Sequence, residues 1–241
     1  MLYLQWAVRR VDEFFPVGVW CEGAVSRRDL QRIRSAGFNS FWTARLDDAV
    51  LASQADTGLR LMALESSHAE LHVDPGATPA DLRLLGWTSL LRGARAVAYY
   101  SWSGLVESDG ALTARGRAAA EFAGILSRNP ALFAPLRPRA TTDPAAMTAD
   151  LRVSGSAGEI EAGFLESPDA LVLIAVSHAG APQRVTLTFA PGTKQEFWQN
   201  METGEMVSFV PASGELTLTH AFAARDAIVL MIRKTSPYDR R

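Results

Sequence analysis

Short apolar runs alternate with capped, helix-like segments four times between Phe15 and Arg128, and few architectures accept that order. "FPVGVW" reads as a buried strand, followed by "SRRDLQRIRSAG" with Ser26 as N-cap, Asp29 closing a capping box and Gly37 as the stop. "FNSFWTA" and "LDDAVLASQADTG" form the next pair, with acidic residues opening the helix and Gly58 ending it. A third strand, "LRLMALE", precedes "TPADLRLLGWTSLLRG", in which Thr78 caps, Pro79 takes the first helical position and Asp81 completes the box. "ARAVAYYSW" and "ARGRAAAEFAGILSR" close the series. Strand–helix units in succession predict a parallel sheet.

After the helices the period changes. Between Asn129 and Asp150 the composition shifts, with prolines at 130, 135, 138 and 144 and the polar "TTD", and residues 139–149 read as a linker between a βα domain over 1–138 and a β domain over 150–241. There, "EIEAGFL", "ALVLIAVS", "RVTLTFA", "KQEFWQN", "EMVSFV", "ELTLTH" and "AIVLMIR" are separated by turn signals such as "SPD", "PGT" and "ASG". Strands so closely spaced predict an antiparallel β-sandwich.

Charge and composition remove several function classes. Of 241 residues, 48% are hydrophobic and 21% charged, which is the profile of a globular chain with a substantial core. A formal net charge of -2, without a basic stripe, argues against nucleic acid and anionic membranes as partners. No run approaches the roughly 20 apolar residues of a membrane span. The opening "MLYLQWAVRRVDEFF" lacks the order of a signal peptide, so a cytoplasmic location is expected. The single cysteine, Cys21, excludes an internal disulfide and a cysteine-only metal site. Neither a P-loop nor a dinucleotide fingerprint is present, and no cofactor is expected.

Several stretches carry a resemblance. "FPVGVWCEG", with "RRDLQRIRSAGFNSFW" after it, resembles the first strand, first helix and second strand of clan A retaining glycoside hydrolases, above all the family 42 β-galactosidases. "LMALESSHAELHVDPGATPADLRLLGWTSLLRGARAVAYYSW" resembles that family's seventh strand, seventh helix and eighth strand. The later "EFWQNMETGEMVSF" and "DAIVLMI" look like the small β-domain behind the barrel. The resemblance implies a carbohydrate substrate and makes Glu65, at the end of the seventh strand, the nucleophile.

The chain also departs from the family. A full (β/α)8 barrel takes about 250 residues, whereas the βα portion here ends near Arg128. The stretch holding strands four to six is missing, and with it the Asn-Glu pair whose glutamate is the acid/base; no Asn-Glu dipeptide occurs in this sequence. The expected architecture is a truncated (βα)4 half of a TIM-type barrel followed by an antiparallel β-sandwich. An open parallel sheet leaves edges and one apolar face to be covered. A homodimer joined through the half-barrel is the expected solution, with Trp20, Phe41, Trp42, Tyr99, Tyr100 and Trp102 divided between core and interface.

The candidate site lies on the rim where parallel strands end. Glu65 and Glu22 are the candidate catalytic carboxylates; retention requires such a pair roughly 5–5.5 Å apart. Trp102, Trp20, Trp42 and Tyr100 offer flat faces for sugar rings, though aromatics more often serve as core. His68 joins the substrate-binding candidates from the loop after Glu65. His68 and His72 are four residues apart, yet their expected place in a loop and the intervening Glu70 do not reproduce a zinc-site pattern. The rival reading is a non-catalytic carbohydrate-binding or assembly protein derived from a glycosidase.

Overall fold

The computed structural model describes residues 14–45, 48–62, 69–72, 77–139, 151–155, 159–189, 197–212 and 215–234. The chain divides into two compact units, residues 1–90 with 94–134, and residues 91–93 with 135–241. Among the described residues no helix is long and apolar enough to cross a membrane.

In the first unit the helices begin where capping chemistry places them. Helix α1 (Arg27–Ser35) starts at Ser26, whose hydroxyl accepts from the Asp29 amide at 3.1 Å while the Asp29 carboxylate accepts from the Ser26 amide at 3.2 Å. Helix α2 spans Asp48–Thr57 and ends at Gly58, whose φ is 66°. Helix α3 (Pro79–Leu91) repeats the box: the Thr78 amide donates to Asp81 at 2.8 Å and the Asp81 amide donates to the Thr78 hydroxyl at 3.2 Å. Helix α4 (Ala114–Arg128) is capped by Thr113, which accepts from the Gly116 amide, and the short α5 (Pro130–Phe133) follows.

The strands are β1 (Val17–Cys21), β2 (Ser40–Thr43), β3 (Arg60–Leu61), β4 (Ala69–His72) and β5 (Val97–Tyr100). They form one parallel sheet in the order β3-β2-β1-β5-β4. Five strands therefore stand where four were expected. The run read as a single strand, "LRLMALE", is strand at Arg60–Leu61 and pairs with β2 at one edge; its residues 63–65 lie outside the described set. The neighbour of β5 is instead Ala69–His72, in a stretch expected to be loop. Its short, polar "AELH", flanked by Ser and Pro-Gly, carries no apolar alternation for a sequence reading to detect.

Side chains alternate across this sheet. Val17, Val19, Phe41, Val97 and Tyr99 are fully enclosed on one face. The helices cover it: Tyr99 meets Phe38 and Phe122 edge-on at 6.1 and 6.5 Å, and Phe122 meets Trp87 of α3 at 4.9 Å. The Tyr99 hydroxyl has no partner among the described residues, and burial pushes its phenol upward, holding it neutral. The opposite face carries Trp42, Ala96 and Ala98 as a buried cluster, with Trp20 and Met62 packed against it.

The second unit is β-rich, built of two antiparallel sheets with a core of its own. Strands β7 (Leu151–Gly155), β10 (Gln183–Phe189), β13 (Val210–Ala212) and β14 (Glu215–Phe222) form one sheet in the order β13-β14-β10-β7. The other runs β12-β11-β15-β9-β8-β6, from β6 (Arg137–Pro138), β8 (Ile160–Glu166), β9 (Ala170–Ser177), β11 (Phe197–Asn200), β12 (Met206–Ser208) and β15 (Asp226–Arg233). Every pairing within them is antiparallel. Phe164 of one sheet meets Phe189 of the other with centroids 5.1 Å apart, and Trp198 and Phe209 complete the aromatic centre. The run "EMVSFV" divides because Phe209, 1% exposed, turns into this core while the chain passes from one sheet to the other.

Gly18 shows how tightly β1 and β2 approach. A Cβ there would lie 1.9 Å from the Ser40 carbonyl oxygen and 2.9 Å from the Trp42 ring. Gly18→Ala is therefore expected to destabilise the protein by at least about 2 kcal/mol in urea unfolding. A loss below about 0.5 kcal/mol would show that the two strands separate at little cost.

Candidate functional site

All five strands of the parallel sheet run in one direction, so their C-terminal ends share a rim, the usual position of ligand sites in α/β sheets. Register sets which side chains meet there. Trp20 of β1 is level with Trp42 of β2 on one side and Tyr100 of β5 on the other, and His72 of β4 occupies the next position beyond Tyr100. Trp20, Trp42 and Tyr100 belong to one row on one face.

Burial divides the aromatic candidates. Trp42 is 1% exposed and Trp102 8%, whereas Tyr100 is 36% exposed and Trp20 is half-buried. Trp102 lies in the 3-10 turn Trp102–Gly104 with its ring edge-on to Phe38 at 6.4 Å, on the helix-covered side. Trp20 and Tyr100 stack with centroids 6.1 Å apart and planes 30° from parallel. Together they make an accessible aromatic shelf at the ends of β1 and β5.

Polar groups stand beside it. Glu22 directly follows β1 and is exposed, and the Ser103 hydroxyl donates to its Oε2 at 3.4 Å. Ser101 and Ser103 are joined hydroxyl to hydroxyl at 2.8 Å. The Tyr100–Ser101 peptide is cis. A stacked ring pair, a carboxylate and two linked hydroxyls form a surface with one flat apolar side and one hydrogen-bonding side. Such a surface can seat a pyranose, whose C–H faces lie on rings while its hydroxyls reach polar atoms. Sequence reasoning passed over the two serines, although "SWSG" directly after the last apolar strand placed both on the rim.

Glu65 and His68 lie outside the described residues. His72, expected in a loop, lies instead on β4. His178, at the end of β9, lies 3.4 Å from Glu161, which Arg92 grips with two hydrogen bonds of 2.9 and 2.8 Å. The hydrogen bond from Arg92 holds the Glu161 carboxyl below the usual range. No group of three or more metal-ligating side chains occurs among the described residues.

No protein-family model matches the chain, and no curated protein does. Solved structures overlap it in part. A GH30 endoxylanase from Clostridium papyrosolvens shares 11% identity at a TM-score of 0.40, over 82% of this chain and 49% of that one. A maltogenic α-amylase from Thermotoga neapolitana shares 11% at 0.43, over 90% and 61%. A GH42 β-galactosidase from G. stearothermophilus shares 15% at 0.25, over 57% and 14%. The chain thus spans about half the length of the xylanase it overlaps.

Cys21 closes β1 immediately before Glu22 and, by the alternation of the strand, shares the helix-covered face of Val17 and Val19. Burial, aided by the nearby Asp29 charge, pushes its thiol up to about 12. The folded protein at mildly alkaline pH is therefore expected to react with a thiol-disulfide reagent at least about a hundredfold more slowly than the urea-unfolded chain. Equal rates would place Cys21 at the surface, with β1 frayed at its rim end.

Proposed function

We propose that this chain handles a carbohydrate on the C-terminal rim of its parallel sheet, as a glycoside hydrolase-like protein of the β-galactosidase type with Glu65 as nucleophile. The observation that carries the reading is the stack of half-buried Trp20 on exposed Tyr100, with the Glu22 carboxylate and the Ser101–Ser103 hydroxyl pair next to it in the chain. Support for Glu65 comes from the sequence stretch in which it sits, between the C-terminal end of β3 and the start of β4 in the chain.

In this reading Glu65 attacks the anomeric carbon while a second carboxyl group protonates the departing oxygen, and water then releases the sugar with the second group acting as base. Glu22 takes the acid/base role, since it is the carboxylate beside the shelf among the described residues. The reading includes a homodimer in which a second copy covers β3 and β4, the strands that end the sheet on either side.

A second reading has a specific motive. The family's Asn-Glu acid/base pair is absent from the sequence, so a protein that binds sugar on the same shelf without hydrolysing it fits as well. Aryl glycoside turnover by wild type, Glu65→Gln and Glu22→Gln separates the two. Catalysis predicts a fall in kcat of at least about a thousandfold for Glu65→Gln at little change in KM, and a smaller fall with an altered pH profile for Glu22→Gln. Wild-type turnover no greater than that of Glu65→Gln overturns the nucleophile, and sugar binding that survives the substitution establishes the non-catalytic reading.

A further inference from the structure

We propose that the opposite, N-terminal end of the parallel sheet carries a separate binding site for a compact polyanion bearing phosphoryl or carboxylate groups. A concavity of about 510 Å³ opens there, lined by Arg34, Arg60 and Arg128 together with Phe14, Asn39 and Gly37. Its volume lies within the range of small-molecule sites, roughly 300–1,000 Å³. All of its lining belongs to the first unit. The site is independent of the carbohydrate reading, because it uses none of the rim residues.

The fold, rather than any attraction among the arginines, brings them together. The Ser127 hydroxyl donates to the Gly37 carbonyl at 3.0 Å, tying the end of α4 to the turn after α1 and setting Arg128 near Arg34. Gly37 has a φ of 94°, and a Cβ on it would lie 3.7 Å from the Gly124 Cα, so that turn packs closely on α4. The Arg60 amide donates to the Asn39 carbonyl at 3.0 Å, which fixes the start of β3 on the same hollow. Three arginines thus line one cavity, and no carboxylate lines it among the described residues.

Helix ends account for part of this arrangement. Arg34 and Arg128 lie in the last turns of α1 and α4, where a cation offsets the negative end of the helix dipole. Arg60 has no such reason to be there, since it opens a strand. Its guanidinium carbon sits 3.8 Å from the centroid of the Phe14 ring, so one planar face is used by the ring, and its N–H edge makes no ion pair among the described residues. The three exposed arginines repel one another around a shared hollow, and an anion with several charged oxygens converts that repulsion into charge-assisted hydrogen bonds.

Calorimetric titration of the full chain with pyrophosphate and, separately, citrate tests the proposal and distinguishes the phosphoryl from the carboxylate source. Binding of at least one anion is expected, weakening as salt is raised. Arg60→Gln should weaken it at least about tenfold, and the Arg34→Gln/Arg128→Gln pair more strongly still. Arg27→Gln is the control, because Arg27 lies on α1 but pairs with Asp56 at 2.9 Å away from the cavity lining. Melting curves report folding of each variant. The proposal is overturned if neither anion binds at low salt, if binding is unchanged in Arg60→Gln or in the double variant, or if Arg27→Gln weakens it equally.

Discussion

A single buried carboxamide, that of Asn39, decides how the parallel sheet begins. Its Oδ1 accepts from the Val17 amide at 2.8 Å and from the Ser40 hydroxyl at 2.9 Å, and its Nδ2 donates to the Phe15 carbonyl at 2.9 Å. Its own amide donates to the Val17 carbonyl, and its carbonyl accepts from Arg60. One residue therefore binds the entries of β1, β2 and β3. Each such bond contributes about 1 kcal/mol net, but removing the carboxamide strands the Val17 amide, the Phe15 carbonyl and the Ser40 hydroxyl at about 1–3 kcal/mol each. Asn39 acts as a register lock because any slip leaves those groups unpaired.

The register has consequences along the whole sheet. It lays Gly18 under the Ser40 carbonyl and the Trp42 ring, where no side chain fits, and so allows Trp42 to be enclosed. It then sets Trp20 level with Trp42 and Tyr100, which produces the shelf two residues later on β1. The two ends of the sheet acquire opposite chemical characters. Stacked rings with a carboxylate and hydroxyls mark the C-terminal rim, while three arginines line the N-terminal hollow. The β-rich unit holds an aromatic core of its own around Phe164, Phe189, Trp198 and Phe209.

How far the sequence revealed this depended on the kind of signal. Helices were legible because their starts are written in local chemistry: Ser26 with Asp29 and Thr78 with Asp81 form the boxes that their spacing predicted. Central strands such as β9, buried along its whole length, announced themselves by apolar runs. Edge strands did not. β4 and the short β3 and β6 gain their structure from pairing with distant partners, and a two- to four-residue strand has no period to read. Of the expected site, Glu22, Trp20 and Tyr100 come together on the rim, whereas Trp42 and Trp102 are enclosed. Exposure of an aromatic at a strand end depends on what packs over it, which spacing does not encode.

Indole N–H signals of the 15N-labelled protein, followed during titration with β-galactosides and other oligosaccharides, test the shelf most directly. Trp20, identified by its absence in Trp20→Phe, should shift progressively with sugar, while the enclosed Trp87 and Trp198 stay in place. A Trp20 signal that remains fixed at high sugar concentration, or shifts confined to the enclosed tryptophans, would contradict the account.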